Sequence, residues 1–248
     1  MYIEKKYYPR YPLNQCVDMI WVGTAPELKT SSSHHAALFT ELIFNYGDTF
    51  ILDGQNVENI HSRFDHQILS GLKTEPFQVS VSGKYNNAGL ILKPYCYGML
   101  YNKFGSKIFD QVSEIIFEQF FATLDPDLDK LERDLFKAFG NPSIDLDFKK
   151  FEYHLAKSFV QKGSLKQFSD SISSSQKSFI QKFKTHYHIT PSEYIRLKQV
   201  NYAIQMLQDS KSKKLIHIGL DSGFYDQSHF IRVFKKHCGV TPKQFLQG

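Results

Sequence analysis

The chain is poor in the residues that would make it a secreted, metal-held or enzymatic protein. Its 248 residues include three cysteines, Cys16, Cys96 and Cys238. They lie too far apart for a CxxC pair or a metal-ligand spacing, which points to reduced thiols in a cytoplasmic protein. The N-terminal MYIEKKYYPR is charged and lacks the apolar stretch of a signal peptide. Apolar clusters such as Ile115 to Phe121 are interrupted by Glu and Gln, so no membrane span is expected. No Gly-rich phosphate loop, GxSxG or HExxH occurs. Neighbouring His34 and His35 would point to opposite faces of a strand, and no further His or Glu completes a metal set. Asp125, Asp127 and Asp129 alternate like metal-loop ligands, but Pro126 interrupts them and acidic residues favour a helix start. No catalytic residue, metal or cofactor is expected.

Charge is present but unevenly divided. Residues 1–150 hold 15 Lys and Arg against 19 Asp and Glu, net −4; residues 151–248 hold 15 against 6, net +9; the two sum to the chain's +5. A basic module behind an acidic front fits a nucleic-acid reader joined to something else. The secondary-structure pattern changes too. Residues 1–105 are rich in β-branched and aromatic residues, with turns expected at Asp53-Gly54 and Asn86-Asn87. From about 106 the apolar period is helical. Asp125 is expected to cap a helix with the stripe Leu128, Leu131, Leu135, Phe139 and Gly140 past its end. A second helix carries Phe148, Phe151, Leu155 and Phe159 and stops at Gly163. Those two stripes are also candidates for pairing two copies of the chain.

The last hundred residues repeat themselves. FIQKFKTHYHITPSEYI at 179–195 and FIRVFKKHCGVTPKQFL at 230–246 align at an offset of 51. Each is preceded by a short helical stretch, capped in the first copy by Ser164 and carrying Leu165, Phe168 and Ile172. The second covers 213–222, with Leu215 and Ile218 inward. Small residues four apart, Ser169 and Ser173 and then Gly219 and Gly223, allow a tight helix crossing. The following helices are expected to be capped by Ser174 or Ser175 and by Asp226. Each buries a phenylalanine pair, Phe179 with Phe183 and Phe230 with Phe234. The pattern is helix, turn, helix, twice. Residues 192–208 join the copies as one helix behind Pro191, capped by Ser192.

IGLDSGFYDQSHFIRVFKKHCGVTPKQF resembles the C-terminal motif of AraC/XylS-type transcription regulators. Its carriers are Gly223-Phe224, Ser228 with Phe230, Phe234-Lys235 and Gly239 to Pro242, and the likeness covers about 163–247. Residues 1–144 resemble more loosely an N-terminal domain of some of these regulators, through Trp21-Val22, Glu41 to Asn45 and GLILKPYCYGML. The sequence departs from the family at Gly219 and Ser169 (usually Ala), His188 (usually Gly), Gln199 (often Arg) and His34 to Leu38, in place of an acidic turn.

The resemblance implies an α+β protein. A small cupin-like β-barrel with following helices (1–144) would sense or dimerise, and an all-α domain of two helix-turn-helix units on a linker helix (145–248) would bind DNA. Gln227, Ser228 and Arg232 would then contact bases, with Gln176, Lys177 and Gln181 as their counterparts in the first unit. Lys184, Lys235, Lys236 and Lys243 would meet phosphates. The partners implied are double-stranded DNA, with room for a small-molecule effector, a second copy of the chain and RNA polymerase, and no membrane. The competing reading is an alkyl-transfer DNA-repair enzyme on the same reader, which requires a reactive or metal-bound cysteine. A third is an interaction adaptor with degenerate DNA units.

Overall fold

The computed structural model describes residues 1–57, 68–96, 98, 105–140, 145–158, 165, 168, 172, 175–209 and 214–247. The chain divides into two compact units. The first comprises Met1–Ser33, Phe39–Gly71 and Gln78–Ile144; the second comprises His34–Leu38, Leu72–Phe77 and Asp145–Gly248. The architecture is α+β, with antiparallel strands first and helices last.

Among the described residues of the first unit, seven strands form one sheet: β1 Ile3–Tyr7, β2 Val17–His34, β3 Thr40–Asn45, β4 Phe50–Leu52, β5 Gln55–Val57, β6 Ile68–Ser70 and β7 Phe77–Leu92. The main path runs β1-β2-β7-β3-β6, with β4 and β5 as a side hairpin on β7. Among the described residues this path is open, so the strands stop short of the closed cupin-like barrel expected. The turn at Asp53-Gly54 is present, with φ 52° and 78° linking β4 to β5. Asn86-Asn87 is not a turn. Both residues lie within β7, where Asn87 stands opposite Asn45 and Asn86 accepts the Tyr46 N–H at 2.7 Å. Completing the β3–β7 ladder outweighs the turn preference of a local Asn pair.

Alternation along the strands sorts the side chains into two faces. Val22, Leu42, Phe44, Ala88, Leu90 and Leu92 are buried on one face, which receives two helices. These are α1, Gly105–Phe120, through Val112 and Ile116, and α2, Leu128–Ala138, through Leu131 and Leu135. Tyr46 Oη donates to the Ser113 carbonyl at 2.8 Å and fixes α1 on β3. α2 starts two residues later than expected. Asp127, not Asp125, is its cap and accepts the Lys130 N–H at 2.9 Å. Leu128 is therefore 37% exposed, while Leu131, Leu135 and Phe139 are buried. The stripe expected at a subunit boundary is consumed by the unit's own core.

On the opposite face Trp21 lies flat over Gly89 and donates its indole N–H to Glu41. A Cβ added at Gly89 would come within 2.7 Å of the indole Cζ2 and closer still to Nε1. Gly89→Ala is therefore expected to lower stability by about 1–3 kcal/mol through overpacking. Denaturant unfolding measures it, and an unchanged midpoint would contradict this packing.

Candidate nucleic-acid interface

The second unit is built around helices α3 Leu146–Ser158, α4 Gln176–Tyr187, α5 Pro191–Asp209, α6 Leu215–Asp221, α7 Gln227–Cys238 and α8 Pro242–Phe245. The repeat in the sequence is a repeat in geometry. Ser175 Oγ accepts the Ser178 N–H at 3.2 Å and starts α4; Asp226 Oδ1 accepts the His229 N–H at 2.7 Å and starts α7. α4 buries Phe179, Phe183 and Tyr187, and α7 buries Phe230, Phe234 and His237. Both helices end in the left-handed region, at His188 with φ 58° and at Gly239 with φ 77°. Thr190 and Thr241 then each form a reciprocal cap, with Glu193 and Gln244. Thr190, rather than Ser192, thus caps the linker helix. Pro191 becomes its first residue, where a missing N–H costs nothing.

α5 is the common wall. Its Tyr194 joins an aromatic cluster with Phe148, Phe151, Phe168, Phe179, Phe183 and Tyr187, all at most 1% exposed. Phe183 stacks on Tyr187 at 3.7 Å, and Phe151 meets Phe179 and Phe183 edge-on at 5.3 and 5.4 Å. The rest of its stripe, Val200, Ala203, Ile204 and Leu207, packs with Ile218, Phe224, Phe230 and Phe234. Gly219 lets α6 cross α7 closely; an added Cβ would lie 3.0 Å from Phe230. Gln199 donates to the Gly223 carbonyl at 2.9 Å, joining α5 to the turn between α6 and α7. Lys182 bridges Asp145 and Asp147 at 2.9 and 2.8 Å, and Lys198 pairs with Glu152 at 2.8 Å, holding α3 to α4 and α5.

The second apolar stripe is accordingly buried inside this unit. Phe148, Phe151 and Leu155 serve the aromatic cluster, and Phe159 lies outside the described residues. Also outside them are Gly163 and Ser164, and with them Ser169, Ser173 and Ser174; of the first short helix, Leu165, Phe168 and Ile172 are described. The neighbouring histidines have structural contacts. His34 stacks on Phe77 at 5.1 Å, His35 tilts against Phe245 at 6.1 Å, and His186 Nδ1 lies 3.1 Å from the Lys182 carbonyl. No metal-binding cluster occurs among the described residues.

All ten sequence-derived interface residues are exposed. Gln176, Lys177, Gln181 and Lys184 lie on the outer face of α4; Gln227, Ser228, Arg232, Lys235 and Lys236 on that of α7; and Lys243 on α8. Sequence reasoning missed a cavity of about 320 Å³ at which Arg232 and Lys236 meet Arg196 and Glu193 of α5, His229, and Thr74. Hydrogen bonds from Thr190 hold Glu193 below the usual carboxylate range, and Lys236 and Arg196 add to this. Burial lowers the pKa of His237, opposed by its bond to the Thr74 carbonyl and by Glu75, and aided by Lys236 and Arg196. A carbonyl only accepts, so Nδ1 carries the proton. Arg196 and Thr74 lie beside Arg232 without a local signal in the sequence.

Two capped helices with exposed polar faces are thus joined by one linker helix. Residues 168–248 match the family described as "Helix-turn-helix domain", and residues 5–114 match a domain of unknown function, DUF6597. The likeness to helix-turn-helix proteins thus covers residues 168–248, about a third of the chain. Similar proteins include the HTH-type transcriptional regulator ExsA of Pseudomonas aeruginosa, 25% identical over 40% of this chain and 35% of that protein. The HTH-type transcriptional activator RhaR of Escherichia coli O1:K1 / APEC is 32% identical over 37% of this chain and 32% of its own. The chain thus spans about a third of the length of these relatives. A crystal structure of ToxT from Vibrio cholerae O395 aligns over 99% of this chain and 98% of that one at 12% identity and a TM-score of 0.49.

His188 holds a left-handed conformation that costs an L side chain roughly 1–2 kcal/mol, at the place where the second copy has Gly239. His188→Gly is expected to raise stability by about 1 kcal/mol at most, because glycine's greater freedom in the unfolded chain offsets part of the relief. Thermal unfolding checks this, and a lowered midpoint would contradict it.

Proposed function

We propose that the protein is a sequence-specific DNA-binding transcription regulator. α4 and α7 are its recognition helices, and the sheet unit is a sensing or pairing domain. The observation that carries this reading is the duplicated presentation: two helices with matching caps and matching buried phenylalanines, each turning uncharged polar and basic residues outward. At 1.5 Å per residue α5 is about 28 Å long, close to the roughly 34 Å between successive major grooves on one DNA face. In this reading Arg232 forks onto guanine O6 and N7, and Gln227 onto adenine N6 and N7. Ser228, Gln176, Lys177 and Gln181 complete the base contacts, and Lys184, Lys235, Lys236 and Lys243 neutralise phosphates. The domains divide at 144/145 along the chain. The partners this role calls for are DNA, a small-molecule effector, a second copy of the chain and RNA polymerase, in the cytoplasm. Among the described residues no helix is long and apolar enough to cross a membrane.

The alkyl-transfer reading lacks its nucleophile. Cys16 and Cys96 are each 1% exposed. The hydrogen bond its S–H donates to Cys16, together with burial, pushes the Cys96 thiol up, and burial pushes Cys238 up to about 12. Buried thiols of this kind are inert.

Selection of bound sites from random double-stranded DNA tests the proposal. On the selected site Arg232→Ala is expected to cost about 1–3 kcal/mol and to relax preference at one base pair. Lys235→Ala should weaken all sequences alike and reduce the salt slope by about 1. Two variants that behave identically would remove Arg232 from base readout, and binding without salt dependence would remove the proposal.

A further inference from the structure

Thr74, in the cavity beside Arg232 and Lys236, comes from none of the six helices. It belongs to Leu72–Phe77, the stretch between β6 and β7, which with His34–Leu38, between β2 and β3, is part of the DNA-binding unit. The two stretches are tied to each other and to the end of α7. The Ala37 N–H donates to the Lys73 carbonyl at 2.9 Å. His237 is gripped on both sides: its Nδ1 donates to the Thr74 carbonyl, and its own carbonyl accepts the Ala36 N–H at 2.8 Å. Pro76 lies over Gly239, so close that a Cβ there would stand 3.3 Å from Pro76 Cγ. His237 is 5% exposed, an unusual burial for a polar residue at the end of a helix whose outer face is otherwise free.

An α-helix with its side chains is about 10–12 Å across, and the major groove it enters is about 12 Å wide. A helix that fills the groove leaves no width for a further backbone segment along its flank. Thr74 lines one cavity with Arg232 and Lys236, the latter a phosphate contact in the proposed reading. We propose that residues 72–77, pinned by 34–38, form an autoinhibitory strap on α7 that competes with DNA for this flank. The inference rests on α7 being a DNA-reading helix. The strap is covalently continuous with β2, β3, β6 and β7. A ligand of the sheet unit would switch DNA binding only as far as it prefers the strapped or the released state. The strap's first segment, His34 to Leu38, is also where the sequence departs from its family's acidic turn.

Hydrogen exchange on the full-length protein, with and without its selected DNA site, tests this. On DNA binding the amides of 36–37 and 72–75 should exchange faster while those of α4 and α7 become more protected. Protection of α4 and α7 with exchange in 72–75 unchanged would overturn the strap and leave DNA reading intact. No protection of either helix at low salt would overturn both. Two variants release the strap from different sides: His237→Ala removes the Thr74 fastening, and Pro76→Gly loosens the segment without altering a helix. Each should speed exchange at 72–75 in the free protein and tighten DNA binding by about 3- to 10-fold, the worth of about one hydrogen bond. Faster exchange without tighter binding would also overturn the proposal.

Discussion

The C-terminal unit depends on the apolar stripe of α5. A helix-turn-helix of this size buries too little surface to hold itself together, and each half here borrows a wall from the same helix. Tyr194 closes the aromatic cluster of the first half, and Val200, Ala203, Ile204 and Leu207 line the core of the second. Each buried side chain of this kind is worth about 1.5–3 kcal/mol. The stripe thereby fixes the spacing of α4 and α7 as well as their stability. Replacing one of these residues by a polar one would disturb the half whose core it lines.

The same economy explains α3. Its Phe148 and Phe151 reach Phe179, Phe183 and Tyr187, and its Glu152 meets Lys198 of α5. A helix outside the repeated motif thus completes the first half, whereas the second half is closed by α8 through Phe245 on Phe234. The two copies of the motif are alike in α4 and α7 and unlike in what supports them.

Helices α4 and α7 were legible from sequence because their determinants are local: a cap, a phenylalanine pair four apart, and a stop residue at a fixed offset. Caps were legible to within two residues. Asp125 and Asp127, like Thr190 and Ser192, are each chemically able to cap, and only the packing of Leu131 and Tyr194 decides between them. Periodicity revealed that Leu131, Leu135, Phe148 and Phe151 share apolar faces, but not what covers them, so a partner subunit was as good a reading as the cores that claim them. Asn86-Asn87 has the composition of a turn and lies in a strand because its ladder partners stand some forty residues away in sequence. The strap was the least legible feature. The Thr74–His237 bond spans 163 residues, and no pattern in either segment signals the other.

The central claim is that α5 holds two helices as one rigid, two-groove reader. Hydroxyl-radical footprinting of the full-length protein on its selected site tests it most directly. The account predicts two protected patches on one face of the duplex, about one helical turn of 10–10.5 base pairs apart, both weakened by loss of Arg232. A single patch of protection, unchanged by substitutions on α4, would contradict it.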